Sequence, residues 1–110
     1  MLNIGVDIAK ISRFKDAKFS LIQKILSKQE LIDYQNTSSE HQALFLARSW
    51  AIKEAIFKSD NSYSQFSKIN LTKVNNKWTF NNFSISISHE DDFVIAMVVK
   101  NEDKYEENRN

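Results

Sequence analysis

The chain has 110 residues, the size of one domain with a modest core. Its 15 Lys and Arg against 14 Asp and Glu leave a net charge of +1, which lacks the basic excess expected of a nucleic-acid binder. No cysteine is present, which excludes disulfides and thiolate metal sites, and no apolar run is long enough to span a bilayer.

Leu2, Ile4, Val6 and Ile8 alternate with Asn3, Gly5 and Asp7, and this period of two predicts a strand. Asp7 points away from the Ile/Val face. An acid here does not fit the apolar core of a signal peptide, so a cytoplasmic location is expected. Gly5 is the only glycine and there is no proline, so turns fall to Asn, Asp and Ser. A lone glycine two residues before Asp7 also permits close backbone approach. The next segment is basic, with Lys10, Arg13, Lys15 and Lys18 against Asp16 alone. On the residues alone it is either a solvated surface or a docking patch for an acidic partner, and the first is simpler.

Leu21, Ile22, Ile25 and Leu26 predict a short helix. Ser27 to Glu30 has the form of a capping box opening a second helix, whose apolar face continues through Leu31, Ile32 and Tyr34. Thr37 to Ser39 offers a further cap, and the main helix is expected from near Glu40 to about Ser59. It contains the stretch WAIKEAIFK. At about 100° per residue, Ala43, Ala47, Trp50, Ala51 and Lys58 share the face of Glu54. Phe45, Ile52 and Ile56 lie opposite, so the helix packs on two sides at the centre of the fold. After the polar loop SDNSYSQFSK, short strands are expected at KINLTKV and KWTF, with turns at Asn75-Asn76 and Asn81-Asn82. FSISISH alternates as a strand, and DDFVIAMVV forms its hairpin partner, a continuous apolar run that predicts a fully buried strand. Residues 1–100 are expected as a single domain, and 101–110 as a polar tail.

Three groups stand out for chemistry: Asp7, Glu54 and His89. An uncompensated buried carboxylate is costly, and a salt bridge or a cation resolves the cost. With two carboxylates, no cysteine and only two histidines, a hard ion such as Mg²⁺ is favoured over Zn²⁺. Lys58 follows Glu54 by one turn, so an ion pair between them is the simpler alternative. His89 closes the Phe83–Ile87 row of its strand and could equally be a strand-end histidine bonded to a neighbour.

In order along the chain, IGVDIAKISRF (residues 4–14), FLARSWAIKEAIFK (45–58) and ISISHEDDFVIAMVV (85–99) resemble three motifs of the holo-[acyl-carrier-protein] synthases. These are the small trimeric class of 4′-phosphopantetheinyl transferases. The motifs are a glycine–x–aspartate strand with a following arginine, a W/F-A-x-K-E-A-x-x-K helix, and an I-S-H-S hairpin. KILSKQELIDY also matches the family. Departures are SDNSYS where the family has a Gly-Thr-Gly loop, NNKWTF where it has Gly-Lys-Pro, and Ser49 where an arginine commonly stands, with Arg48 one residue earlier.

The resemblance implies an α+β fold of the 4′-phosphopantetheinyl transferase type, an antiparallel sheet packed on a central long helix. It implies transfer of the phosphopantetheine arm of coenzyme A to a serine of apo acyl carrier protein by a homotrimer. Asp7 and Glu54 would bind Mg²⁺, and with Lys58 form the catalytic set. Lys58 and Lys53 would neutralise phosphate charge, and His89 would contact the nucleotide end of coenzyme A. Arg13 and Lys10, in the basic segment, would meet the acidic carrier. Either Glu54 or a metal-held water could take the serine proton. The alternative is a non-catalytic relative that only binds a carrier protein. Neither a nucleic acid nor a membrane is expected as a partner.

Overall fold

The computed structural model describes residues 3–101, so the expected tail beyond Asn101 lies outside the described residues. Strand β1 (Asn3–Lys10) leads into a 3-10 turn (Ile11–Phe14). Helices α1 (Phe19–Ile25), α2 (Lys28–Gln35) and α3 (Ser39–Ser59) follow. After a second 3-10 turn (Phe66–Lys68) come β2 (Thr72–Val74), β3 (Lys77–Thr79), β4 (Phe83–Glu90) and β5 (Phe93–Lys100). The main sheet is antiparallel in the order β1-β5-β4, and β2-β3 form a separate hairpin. The result is an α+β fold with the sheet laid against the long helix, as expected.

Local chemistry explains the boundaries. Ser27 and Glu30 complete the reciprocal capping box of α2, each side chain bonding the other's backbone N–H. Ser38 is the N-cap of α3 by backbone conformation, but its hydroxyl turns to His41 Nδ1 instead of a helix N–H. Without spare glycines, asparagine and aspartate take the left-handed turn positions: Asn75 and Asn76 have φ of 49° and 64°, Asn81 45° and Asp91 51°. Two successive positive φ values match the right-handed twist of the β2-β3 hairpin.

The sheet has two unlike faces. Register places Gly5, Asp7 and Ala9 beside Val98, Ala96 and Val94, on the face that packs under α3. Small residues there let the helix come close. A Cβ on Gly5 would lie 1.8 Å from the Ala55 carbonyl oxygen, so only glycine fits. Leu46, Ala47, Ala51, Ile52, Ala55 and Ile56 of α3 are wholly buried. Ile22 and Ile25 of α1 join the same core. At the far end of α3, Lys100 bonds Asp60 at 2.5 Å and, with Ser62, holds that carboxyl down at about 2.

The opposite face corrects an expectation. β5 is not buried on both sides: Val94, Ala96 and Val98 are enclosed, but Phe93, Ile95 and Met97 alternate with them outward. Together with Ile4, Val6 and Ile8 of β1 they are 41–65% exposed, forming one apolar sheet face. Among the described residues only one side of the sheet carries a helix, so a continuous apolar run here does not mean two-sided burial. Ile32 is likewise exposed, off the packed side of α2.

Candidate active site

Asp7 stands at the middle of β1, on the face turned to α3. The close approach at Gly5 brings the last turns of α3, with Glu54 and Lys58, up to this strand. Lys58 Nζ lies 3.0 Å from Asp7 Oδ1 and 3.1 Å from the Val6 carbonyl oxygen. Among the described residues Lys58 thus pairs with Asp7, not with Glu54 one turn before it. An ammonium has three N–H donors, and two are used. The half-exposed side chain leaves the third directed to whatever enters. Beside it opens an apolar recess of about 510 Å³, lined by Ile4, Gly5, Val6, Lys58 and Met97.

Asp7 is incompletely satisfied. Its Oδ2 is buried with no hydrogen-bond partner. Burial raises the Glu54 carboxyl above the ordinary carboxylate range, and the nearby Asp7 charge raises it further, while Lys58 and Arg13 pull it down. Two carboxylates that repel one another, one with a buried orphan oxygen, fit a hard divalent cation. Mg²⁺ is commonly held by one or two carboxylates, with water and substrate phosphates completing its octahedron. Among the described residues no group of three His, Cys, Asp or Glu gathers, so an all-protein cage is not the pattern here.

The other predicted residues divide. Arg13, on the first 3-10 turn, lies with its guanidinium 4.8 Å from the Phe14 ring centre and 5.4 Å from that of Trp50. It is close enough for its charge to act on Glu54. Lys10 sits 5.8 Å over the Phe93 ring, at the end of β1. His89 is exposed on β4, opposite Val94. β5 separates it from β1, roughly 10 Å in the plane of the sheet, so one chain does not bring His89 to Asp7.

Lys53 requires a correction. It is wholly buried, and its ammonium donates to the Ile25 carbonyl (2.7 Å), Glu30 Oε1 (2.5 Å) and the Phe66 carbonyl (2.9 Å). All three protons are spent inside the protein, so none can meet a phosphate in this structure. One residue along a helix is about 100° of rotation, which turns Lys53 into the core as Glu54 turns to β1. Glu30 also accepts from Leu71 N and Ser27 N, tying α2, α3 and the approach to β2 together. Sequence reasoning saw Glu30 only as a cap. The signal was Lys53 itself, a lysine one turn from Ser49, Trp50, Ile56 and Phe57, which needs a buried anion.

Of the two residues near the commonly occupied arginine position, Ser49 is buried, and the Arg48 guanidinium lies 5.1 Å from the Phe45 ring centre and 4.7 Å from that of Trp78. Ser12 and Asp92, which join the first 3-10 turn to the β4-β5 turn, had no signature in the sequence, because they are 80 residues apart.

Residues 3–99 match the sequence model of the 4′-phosphopantetheinyl transferase superfamily, and the chain belongs to that superfamily. Within it, the chain is 49% identical to the holo-[acyl-carrier-protein] synthase of Mycoplasma mobile over 105 residues, covering 96% of this chain and 94% of that one. The holo-[acyl-carrier-protein] synthase of Mycoplasmopsis pulmonis is 47% identical over 100 residues, covering 91% of each. The fold is shared with the crystal structure of a Bacillus anthracis holo-(acyl-carrier-protein) synthase in complex with CoA (3′,5′-ADP). Its TM-score is 0.79 at 24% identity, over 88% of this chain and 93% of that one. The Helicobacter pylori holo-[acyl-carrier-protein] synthase, in complex with coenzyme A, superposes at TM-score 0.70 with 25% identity, over 86% and 96%.

Proposed function

We infer that this chain transfers the 4′-phosphopantetheine arm of coenzyme A to a serine of apo acyl carrier protein, releasing 3′,5′-ADP. The observation that carries the reading is the set of Asp7, Glu54 and Lys58, with an orphan carboxylate oxygen at its centre. The serine oxygen attacks the β-phosphorus of coenzyme A, giving up its proton to Glu54 or to a water, as the bond from that phosphorus to 3′,5′-ADP breaks. Asp7 and Glu54 would hold Mg²⁺, which supplies Lewis-acid polarisation of the phosphoryl oxygens and neutralises charge on the departing one. Lys58 offers its third N–H to a phosphate oxygen, while Asp7 and Val6 hold its other two. Catalysis of this kind rests on positioning and charge stabilisation.

Arg13 and Lys10 are the contacts we assign to the acidic carrier. The support is their place on one exposed segment, with the Arg13 guanidinium 5.4 Å from the Trp50 ring centre. Trp50 also lines a cleft of about 590 Å³ with Leu21, Ile25 and Phe66, rimmed by Lys24 and Lys68. An amphipathic helix with an acidic polar face has the complementary chemistry. His89 is assigned to the nucleotide end of coenzyme A, reached from a neighbouring copy. We assign a homotrimer; the exposed apolar sheet face supports association, since a surface of this kind marks it. No helix among the described residues is long and apolar enough to cross a membrane.

Intact-mass spectrometry of apo acyl carrier protein, incubated with this protein, coenzyme A and Mg²⁺, tests the reading. The expected result is a gain of one phosphopantetheine, lost in EDTA. No gain with folded protein and a competent carrier would leave a carrier-binding relative without transfer.

A further inference from the structure

The first 3-10 turn, Ile11–Phe14, has no cap of its own, because Lys10 makes no side-chain capping bond. Its leading groups are satisfied from across the molecule by one residue. Asp92 accepts from Ile11 N through its carbonyl oxygen (2.8 Å), from Ser12 N through Oδ1 (2.9 Å), and from the Ser12 hydroxyl through Oδ2 (2.5 Å). Asp92 stands just before β5, in a turn made tight by the left-handed Asp91. The β1-β5 ladder ends at Lys10 opposite Phe93, so Asp92 continues the pairing one residue further and then grips the turn. The next side chain after Ser12 is Arg13.

We propose that Asp92, acting through Ser12, is a positioning residue for Arg13, fixing the turn so that the guanidinium is presented to the acidic carrier in its binding orientation. This rests on the reading of Arg13 as a carrier contact. The Asp92 carboxylate touches neither the Asp7–Glu54–Lys58 set nor the Trp50 cleft. It therefore works on the geometry of docking and not on the reacting atoms. Restraining Arg13 in advance lowers the side-chain ordering cost when the carrier binds.

The sign of the effect separates this role from plain electrostatics. Asp92 is an anion beside a surface assigned to an anionic partner. If charge alone mattered, Asp92→Ala would remove a repulsion and lower the KM for the carrier. As a positioning residue its loss raises that KM, by about fivefold for hydrogen bonds of ordinary worth. The KM for coenzyme A and kcat stay unchanged. Ser12→Ala, which alters no charge, raises the carrier KM in the same direction by less. Asp92→Asn restores most of the loss, because its carbonyl oxygen can still accept from Ser12 N and its amide can donate to the hydroxyl.

The test is steady-state transfer kinetics on these variants and on the Arg13→Ala and Arg13→Ala/Asp92→Ala proteins, with thermal melts as a folding check. Arg13→Ala should raise the carrier KM, and adding Asp92→Ala should change it little further. A fall in carrier KM with Asp92→Ala, or an unchanged value while Arg13→Ala raises it, would overturn the positioning role and leave the Arg13 assignment standing. If Arg13→Ala itself leaves the carrier KM unchanged, the docking reading fails and the positioning role with it. An additive double variant would mean that Asp92 acts on binding by another route, and would also overturn the proposal.

Discussion

Two lysines of α3, five residues apart, each form an ion pair with a carboxylate from another element. Lys53 and Glu30 are sealed from solvent, and every proton of the ammonium has an acceptor. Lys58 and Asp7 are open on one side, and Asp7 keeps a buried oxygen without a partner. The first pair is complete within the chain. The second is left incomplete where Glu54 adds another negative charge. A satisfied buried pair ties elements together, whereas an unsatisfied one at the surface is poised to take up a ligand.

The largest effect should come from breaking the closed pair. Lys53→Met leaves Glu30 buried without its cation and should destabilise the fold by about 3–5 kcal/mol, read by denaturant unfolding. Adding Glu30→Gln should recover much of that loss, since the uncompensated charge is then gone. A smaller loss than about 1 kcal/mol for the single variant would mean that Lys53 is not confined as described.

Breaking the open site should spare the fold and remove the chemistry. Glu54→Gln should lower transfer by at least ~10²-fold, since even outer-shell partners of a metal cost up to about that much. Mg²⁺ together with coenzyme A should raise the Tm of the parent protein and leave that of the variant nearly unmoved. Equal ligand-induced shifts in the two proteins would count against Glu54 as a metal carboxylate. Lys58→Ala removes an ammonium that is half in water, and should cost less stability than Lys53→Met while transfer falls sharply. That is the reverse of the Lys53 pattern, and measuring melts and turnover on both variants checks it.

The smallest effect is a pH dependence. The Glu54 carboxyl titrates higher in the folded chain than in the unfolded one. In the window just above the ordinary carboxylate value the native state therefore holds more protons, and stability falls as pH rises through it. Glu54→Gln removes this term. Without Mg²⁺ the variant should melt close to the parent at pH 4 and slightly above it at pH 7. A parent that gains stability relative to the variant between those values would reverse the assigned sign.

Local pattern made much of this legible. The alternation in residues 3–8 and 83–89, the capping box at Ser27–Glu30 and the paired asparagines all report short-range chemistry, and they appear in the structure near where they were expected. Gly5 was visible as an oddity, and the Ala55 carbonyl against it gives the reason. Other features depended on partners distant in sequence. The run in β5 looked buried on both faces because periodicity says nothing of how many layers cover a sheet. Lys53 and Lys58 stand in the same motif, and only the rotation of α3 against β1 and α2 separates their tasks.

The sequence by itself determined the elements, the superfamily and the residue types available for phosphate chemistry, because those follow from side-chain period, cap and turn chemistry, and motif order. The tertiary structure alone decided which acids face each other and which lysine remains open. It also decided that Asp92 grips the turn bearing Arg13 across 80 residues. Such contacts are set by how the helix seats on the small-residue face of the sheet, and burial and hydrogen bonding act between neighbours in space.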